Sequence, residues 1–315
     1  MDGREIISRA IHFESPPRIG LRYAFDCARS DIVDFRYSEV LGPGTKPGED
    51  EWGCVWSRLG GRIGSPWGQV IEHPLEDWGD YEPPDPLVRE RYCGIEQLDG
   101  HPTKYRAGSF PFPVINRLMF LRGTGNLMRD FYRNPRELRD LAGKILLFAR
   151  GIVESYGELG LDGIWFGDDL ASQRSIMFSP EIWQRFIRPW YEDLFRWAHD
   201  AGLDVIFHTC GQTRLVLEDL VEIGADALNL NQPDLLGMGW MRERLVGRVS
   251  LLCPVDTQLI SFMTPDQVRE SAIGIVESLA GENGGFVALC DEGGNHSTVP
   301  RDNLVAMGEA FETFR

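Results

Sequence analysis

His208 and Cys210 stand two residues apart at the end of the apolar run DVIF. A β-strand sends alternate side chains to the same face, so this spacing presents an imidazole and a thiol together, as a shared metal ion requires. Cys290 ends a second apolar run, FVAL, and a closed barrel would bring that strand end within reach of the first across its top. Three N and S donors suit zinc, and an open fourth position is the catalytic form of such a site. Spacing alone fits equally well with an ordinary strand end carrying a buried thiol.

Other polar residues follow apolar runs in the same way. Asp168 and Asp169 come after GIWF, Asn231 and Gln232 after ALNL, Asp256 after SLLCPV, and Asp291 and Glu292 after FVALC. Ligands of parallel α/β folds gather beyond the carboxyl ends of the strands, so these residues form one set. Asp168, Asp169 and Glu292 are the candidate catalytic carboxylates, able to orient a ligand or accept a proton. Aspartate is also a common turn former, which leaves a loop-capping role open for Asp168 and Asp169. Asn231, Gln232 and Asp256 are candidate substrate contacts, with Arg22 and Asp26 from the first strand region. His296 could reach the site from the last loop or serve only that loop. His12, His73, His101 and His199 read as structural, and Cys27, Cys54, Cys93 and Cys253 as small buried hydrophobes.

These residues need a scaffold, and the pattern supplies a strand–helix rhythm. Expected strands are 19–23, 104–107, 163–166, 204–208, 227–230, 249–252 and 286–289, with an eighth near 54–70. Between them, SPEIWQRFIRPWYEDLFRWAHDAG opens with Ser179 as N-cap and Pro180 at the first helical position, and closes at Gly202. TPDQVRESAIGIVESLAG likewise opens at Thr264 and Pro265 and stops at Gly281. Repeats of this kind give a parallel sheet covered by helices, either a closed barrel or an open doubly wound sheet. The first hundred residues are irregular, and four of the nine Trp (Trp52, Trp56, Trp67, Trp78) fall among their turns. Such a segment is either a satellite core or a flap over the substrate.

At 315 residues with 43% hydrophobic and 25% charged residues, one compact domain over 1–315 is expected. Asp and Glu outnumber Lys and Arg by 48 to 32, a net charge of -16. Nucleic acid phosphates and anionic lipid would be repelled, so neither is an expected partner. The opening MDGREIISRAIHF has no secretion-signal pattern, and no run approaches a membrane span. A cytoplasmic enzyme is expected, its six cysteines kept as thiols.

The segments IWFGDDLASQRSIMFSPEIWQRFIRPW, DVIFHTCGQTRLVLEDLVEIGADALNLNQP and VDTQ resemble the uroporphyrinogen decarboxylase superfamily. The likeness spans most of residues 100–315. An HxC pair followed much later by a Cys is similar to its zinc-dependent methyltransferase branch, which includes methylcobamide:coenzyme M methyltransferase and corrinoid-linked O-demethylase systems. The resemblance implies a (β/α)₈ TIM barrel with residues 1–100 as a loop-rich part over it, and zinc at His208, Cys210 and Cys290. It further implies methyl transfer between a small methylated compound or carrier and a corrinoid. The corrinoid would ride on a partner protein, since no cobalamin-binding domain fits in the remaining sequence.

Two departures narrow the reading. True decarboxylases carry an Arg-Gln-Ala-Gly-Arg-Tyr stretch near the first strand, where this chain reads LRYAFDCARSD. Some zinc members supply a Glu ligand where this chain has Asn231 and Gln232, so Glu292, Asp291, water or substrate would complete the shell. Two rivals stand beside the methyltransferase. One is a metal-independent decarboxylase gripping an anionic substrate through Arg22, Arg106 and Arg122. The other is a non-catalytic binding protein that kept the barrel.

Overall fold

The computed structural model describes residues 1–24, 26–59, 62–66, 81–291 and 299–315. Eight parallel strands make a nearly closed barrel: β1 (Gly20–Tyr23), β2 (Ile32–Arg36), β5 (Tyr105–Pro111), β6 (Gly163–Gly167), β7 (Asp204–His208), β8 (Ala227–Asn229), β9 (Ser250–Cys253) and β10 (Phe286–Cys290). Their order around the sheet is β1-β10-β9-β8-β7-β6-β5-β2. A separate antiparallel hairpin, β3 (Trp56–Leu59) and β4 (Arg62–Pro66), stands apart from it. The result is a (β/α)₈ TIM barrel. Among the described residues no helix is long and apolar enough to cross a membrane.

Alternation along the strands divides the core in two. Ile32, Tyr105, Ala107, Ile206, Ala227, Leu252, Val287 and Leu289 form the barrel interior, closed at its amino end by Ile7, Ala10 and Ile11 of the first helix, Gly3–Ile11. The intervening residues, among them Ile164, Phe166, Phe207, Leu228, Leu251, Ala288 and Cys290, pack outward against the helices. Both faces are apolar, which is why the strands read as short continuous hydrophobic runs.

Seven barrel strands fall where the sequence places them, but β5 is longer than expected and the eighth strand is elsewhere. The extension GSFP carries Gly and Pro, which read as punctuation. Gly108 is needed there because a Cβ would stand 2.3 Å from the Tyr156 ring. The eighth strand is β2, not a segment of 54–70. In IVDFR the charged Asp34 and Arg36 take alternate positions with buried Ile32, and Asp34 pairs with Arg22, so the apolar signal is broken.

No ladder joins β1 to β2; Asp31 bridges the seam with both its side chain and its backbone. Asp31 accepts from the Leu21 N–H at 2.9 Å, its own N–H reaches the Leu21 carbonyl at 2.8 Å, and Arg18 forks onto it at 2.6 and 2.8 Å.

The helix signals hold. Ser179 accepts from the Ile182 N–H, and Thr264 and Gln267 form a capping box. Inside the segment that starts at Pro180, Pro189 lacks an N–H, and the backbone ahead of it widens into a π-turn, Trp183–Ile187, before Arg188–Asp200. The irregular part is anchored rather than loose. Asp50 pairs with Arg117 at 2.8 Å and Glu51 with Arg91 at 2.6 Å, all four buried, and Trp52 meets Phe148 edge to face at 4.8 Å. Trp52 thus belongs to the core, whereas Trp67 and Trp78 lie outside the described residues.

Candidate metal centre

Adjacent strand ends build the site. In register, Pro111 of β5 stands beside Gly167 of β6, Gly167 beside His208 of β7, and His208 beside Asn229 of β8. Beyond His208 the chain turns at Gly211, whose φ is +86°. A Cβ there would stand 2.5 Å from the Ser172 carbonyl oxygen, so only glycine lets the loop after β7 lie against the loop after β6. Gln212 donates its backbone N–H to that same carbonyl at 2.9 Å. Gln232 accepts from the Gly211 N–H at 2.8 Å and exchanges amide hydrogen bonds with Gln173.

Clamped in this way, Cys210 Sγ lies 3.4 Å from His208 Nε2. Asp169 Oδ1 accepts from the Cys210 N–H at 3.2 Å and lies 4.0 Å from His208 Nε2. The donor atoms of Asp169, His208 and Cys210 all fall within 4.8 Å of one another. Bond lengths near 2.0–2.3 Å in a tetrahedral shell place zinc ligands roughly 3.3–3.8 Å apart, so small side-chain adjustments let one ion meet all three. Imidazole, thiol and carboxylate are a zinc donor set, and three protein ligands leave a fourth position for substrate. Burial first, and then the charge of Asp169, push the Cys210 thiol well up.

Cys290 is not brought to this cluster. Leu289 takes the interior position on β10, and alternation turns Cys290 to the outer layer, beside Tyr23. There Tyr23 also bonds Glu312 at 3.1 Å and receives a bond from Arg29 at 2.9 Å. Burial pushes the Cys290 thiol up to about 12, against a hydrogen bond with Tyr23 that pulls it down.

The paired aspartates have separate jobs. Asp168 is fully buried and accepts from the backbone N–H groups of Val114, Ile115 and Asn116 at 2.9 Å each and from the Tyr191 hydroxyl at 2.7 Å. It anchors the start of the earlier helix Ile115–Arg122 rather than the loop that follows it. Burial raises its carboxyl to about 6, opposed by those donors. Asp169, by contrast, is half exposed, facing His208 and Cys210.

The expected substrate contacts are mostly occupied with structure. Asn231 receives a hydrogen bond from Asn229 at 2.9 Å, and Asp256 accepts from the Gln258 N–H at 2.9 Å. Burial raises the Asp256 carboxyl. Asp26 caps its own turn, accepting from the Ala28 N–H at 3.1 Å. Arg22 lies over the Trp165 ring at 5.0 Å and pairs with Asp34 at 2.7 Å and Asp291 at 2.8 Å. Glu292 and His296 lie outside the described residues. Cys27 and Cys93 are exposed, not buried as their residue type suggests.

One residue of the site escaped the sequence reading: Asn229, whose side-chain oxygen lies 2.8 Å from His208 Nδ1. An amide inside the apolar run ALNL was its only signal.

Eight parallel strands with polar residues gathered at their carboxyl ends define a TIM barrel whose site sits at the mouth. The chain belongs to the uroporphyrinogen decarboxylase family, whose model matches residues 109–314. No curated protein sequence matches it. Among solved structures it is similar to a methyltransferase from Methanosarcina mazei, at 18% identity and a TM-score of 0.67, over 84% of this chain and 76% of that one. It is also similar to xylanase B from Clostridium stercorarium F9, at 11% identity and a TM-score of 0.43, over 68% of this chain and 80% of that one. At such identities the first likeness is one of fold, and the second carries no argument.

Proposed function

We propose that this protein is a zinc-dependent methyltransferase, moving a methyl group between a small methylated compound or carrier and a corrinoid held on a partner protein. The observation that carries this reading is the convergence of Asp169, His208 and Cys210 at the barrel mouth. Zinc bound there supplies Lewis acidity toward the oxygen or sulfur that bears the methyl group, or holds an acceptor thiol as thiolate near neutral pH.

The chain's own residues hold and orient. His208, Cys210 and Asp169 present the donor atoms, and Gly211 and Gln232 fix the loop that carries Cys210. Asp168 secures the neighbouring helix start. Trp165 of β6, on the strand beside His208, offers a ring toward the mouth, with its Arg22 neighbour held by Asp34 and Asp291. The reducing cytoplasm would keep Cys210 available as a ligand. The methyltransferase fold neighbour agrees with this reading at the level of architecture.

A metal-independent decarboxylase would need arginines aimed at substrate carboxylates. Arg22, Arg106 and Arg122 each hold ion pairs within the chain, with Asp34, Asp99 and Asp130 respectively.

The test is spectral. Zinc-loaded protein, given cob(I)alamin and a panel of methoxylated aromatics and other methylated donors, should form methylcobalamin, or run in reverse with a thiol or folate acceptor. The Cys210→Ala variant should be slower by orders of magnitude with the fold intact. No conversion across the panel, or an equally fast variant, would end the methyltransferase reading.

A further inference from the structure

The Asn229 side chain is almost wholly enclosed (4% exposed) at the end of β8, between His208 and Leu252 in the register. Buried amides are kept because their hydrogen bonds are satisfied, and here each bond also fixes the direction of the next. The Leu252 carbonyl can only accept, and it lies 3.1 Å from Asn229 Nδ2. The second Nδ2 hydrogen goes to Asn231 Oδ1 at 2.9 Å. The amide is thereby oriented, and its oxygen is the atom 2.8 Å from His208 Nδ1.

A carbonyl oxygen carries no hydrogen, so Nδ1 must be the donor. In a neutral imidazole the other nitrogen is then an acceptor, and Nε2 is the nitrogen facing Cys210 Sγ at 3.4 Å and Asp169 Oδ1 at 4.0 Å. We propose that Asn229 is a positioning residue that locks His208 in the Nδ1–H tautomer, leaving Nε2 a bare lone pair directed at Cys210 and Asp169. Asn231 completes the device by holding the amide from behind, which gives that residue a role other than touching substrate.

The value of the lock rests on the zinc reading above, because a ring held this way has its lone pair oriented before an ion arrives. The partner is a neutral amide, whereas the commoner partner, a carboxylate, raises the basicity of the ligand and tightens the metal. Asn229 therefore orients the ring without the strengthening that a carboxylate gives.

Two readouts separate the lock from the metal. In metal-free protein with ¹⁵N-labelled histidine, long-range ¹H–¹⁵N correlation should report His208 as the Nδ1–H tautomer. Asn229→Leu should release it to a mixture or to Nε2–H, while Asn229→Asp, which keeps an acceptor, should retain it. Titration with Co²⁺, followed by its visible absorption, should show binding weakened about 10–100-fold in Asn229→Leu and kept or tightened in Asn229→Asp. A wild-type His208 found as Nε2–H overturns the proposal, as does an Asn229→Leu variant with unchanged tautomer. Should Asn229→Leu not fold, the wild-type and Asn229→Asp spectra still decide. If wild type shows the Nδ1–H tautomer but takes up no Co²⁺, the lock stands and the metal reading fails.

Discussion

Asp169 Oδ1 accepts the backbone N–H of Cys210 at 3.2 Å, joining the loop after β6 to the loop after β7 across the barrel mouth. Its neighbour Asp168 turns the other way, accepting from three backbone N–H groups at a helix start and from the Tyr191 hydroxyl. Two adjacent carboxylates thus face different surroundings, and under the proposed function one serves stability and the other the metal. Asp168→Asn should lose roughly 1.5–3 kcal/mol of stability, because hydrogen bonds to a buried charged acceptor are replaced by a group that also donates. Asp169→Asn should unfold much as wild type does but bind Co²⁺ more weakly. Denaturant melts and cobalt titration of both variants check the division; the opposite pattern would reassign the pair.

Gly211 tests whether the loop geometry matters. Its φ of +86° and the 2.5 Å approach to Ser172 make Gly211→Ala strained in conformation and crowded in space. The backbone strain alone costs about 1–3 kcal/mol, and relief requires Cys210 to move away from the β6 loop. Thermal melting and Co²⁺ affinity should fall together. A variant with wild-type affinity would show that the turn does not place Cys210.

The anchored amino-terminal part should depend on its buried ion pairs. Asp50 binds Arg117 and also accepts from the N–H groups of Trp52 and Cys54 and the Trp56 indole. Removing one partner of a buried pair costs roughly 3–5 kcal/mol, since the other charge is left uncompensated. Asp50→Ala should therefore melt at clearly lower denaturant while any bound zinc stays with the protein until unfolding. Wild-type stability would show this part to be loosely attached.

A pH dependence follows from His199, which is bonded to Asp226 at 2.8 Å. The bond to Asp226, against partial burial, raises its pKa. With the folded value above the unfolded one of about 6.5, its stabilisation is full below that unfolded value and is lost as pH rises through the raised folded value. Wild-type melting temperature should thus decline on going from acid to mildly alkaline pH more than that of His199→Gln. Parallel profiles for the two would remove His199 from the account of pH stability.

Much of this architecture is legible in the residues. Apolar runs ending in polar pairs mark β6, β7 and β10, and Ser179 and Thr264 mark helix starts because a cap is a local bond between a side chain and a nearby backbone N–H. What escapes is non-local. Asp34 sits in a strand because Arg22 of another strand neutralises it, and nothing in IVDFR shows that partner. The same holds for Cys290, where one step of alternation decides whether the thiol faces the barrel interior or Tyr23, and for Asn229, whose meaning depends on the register with His208.

The metal content of the purified protein tests the central claim most directly. Protein purified without added metal should carry about one zinc per chain by elemental analysis. Cys210→Ser and His208→Ala should lose it, and Cys290→Ser, on the outer face of β10, should keep it. Metal-free wild type, or full zinc in the Cys210→Ser variant, would contradict a zinc centre built on His208, Cys210 and Asp169.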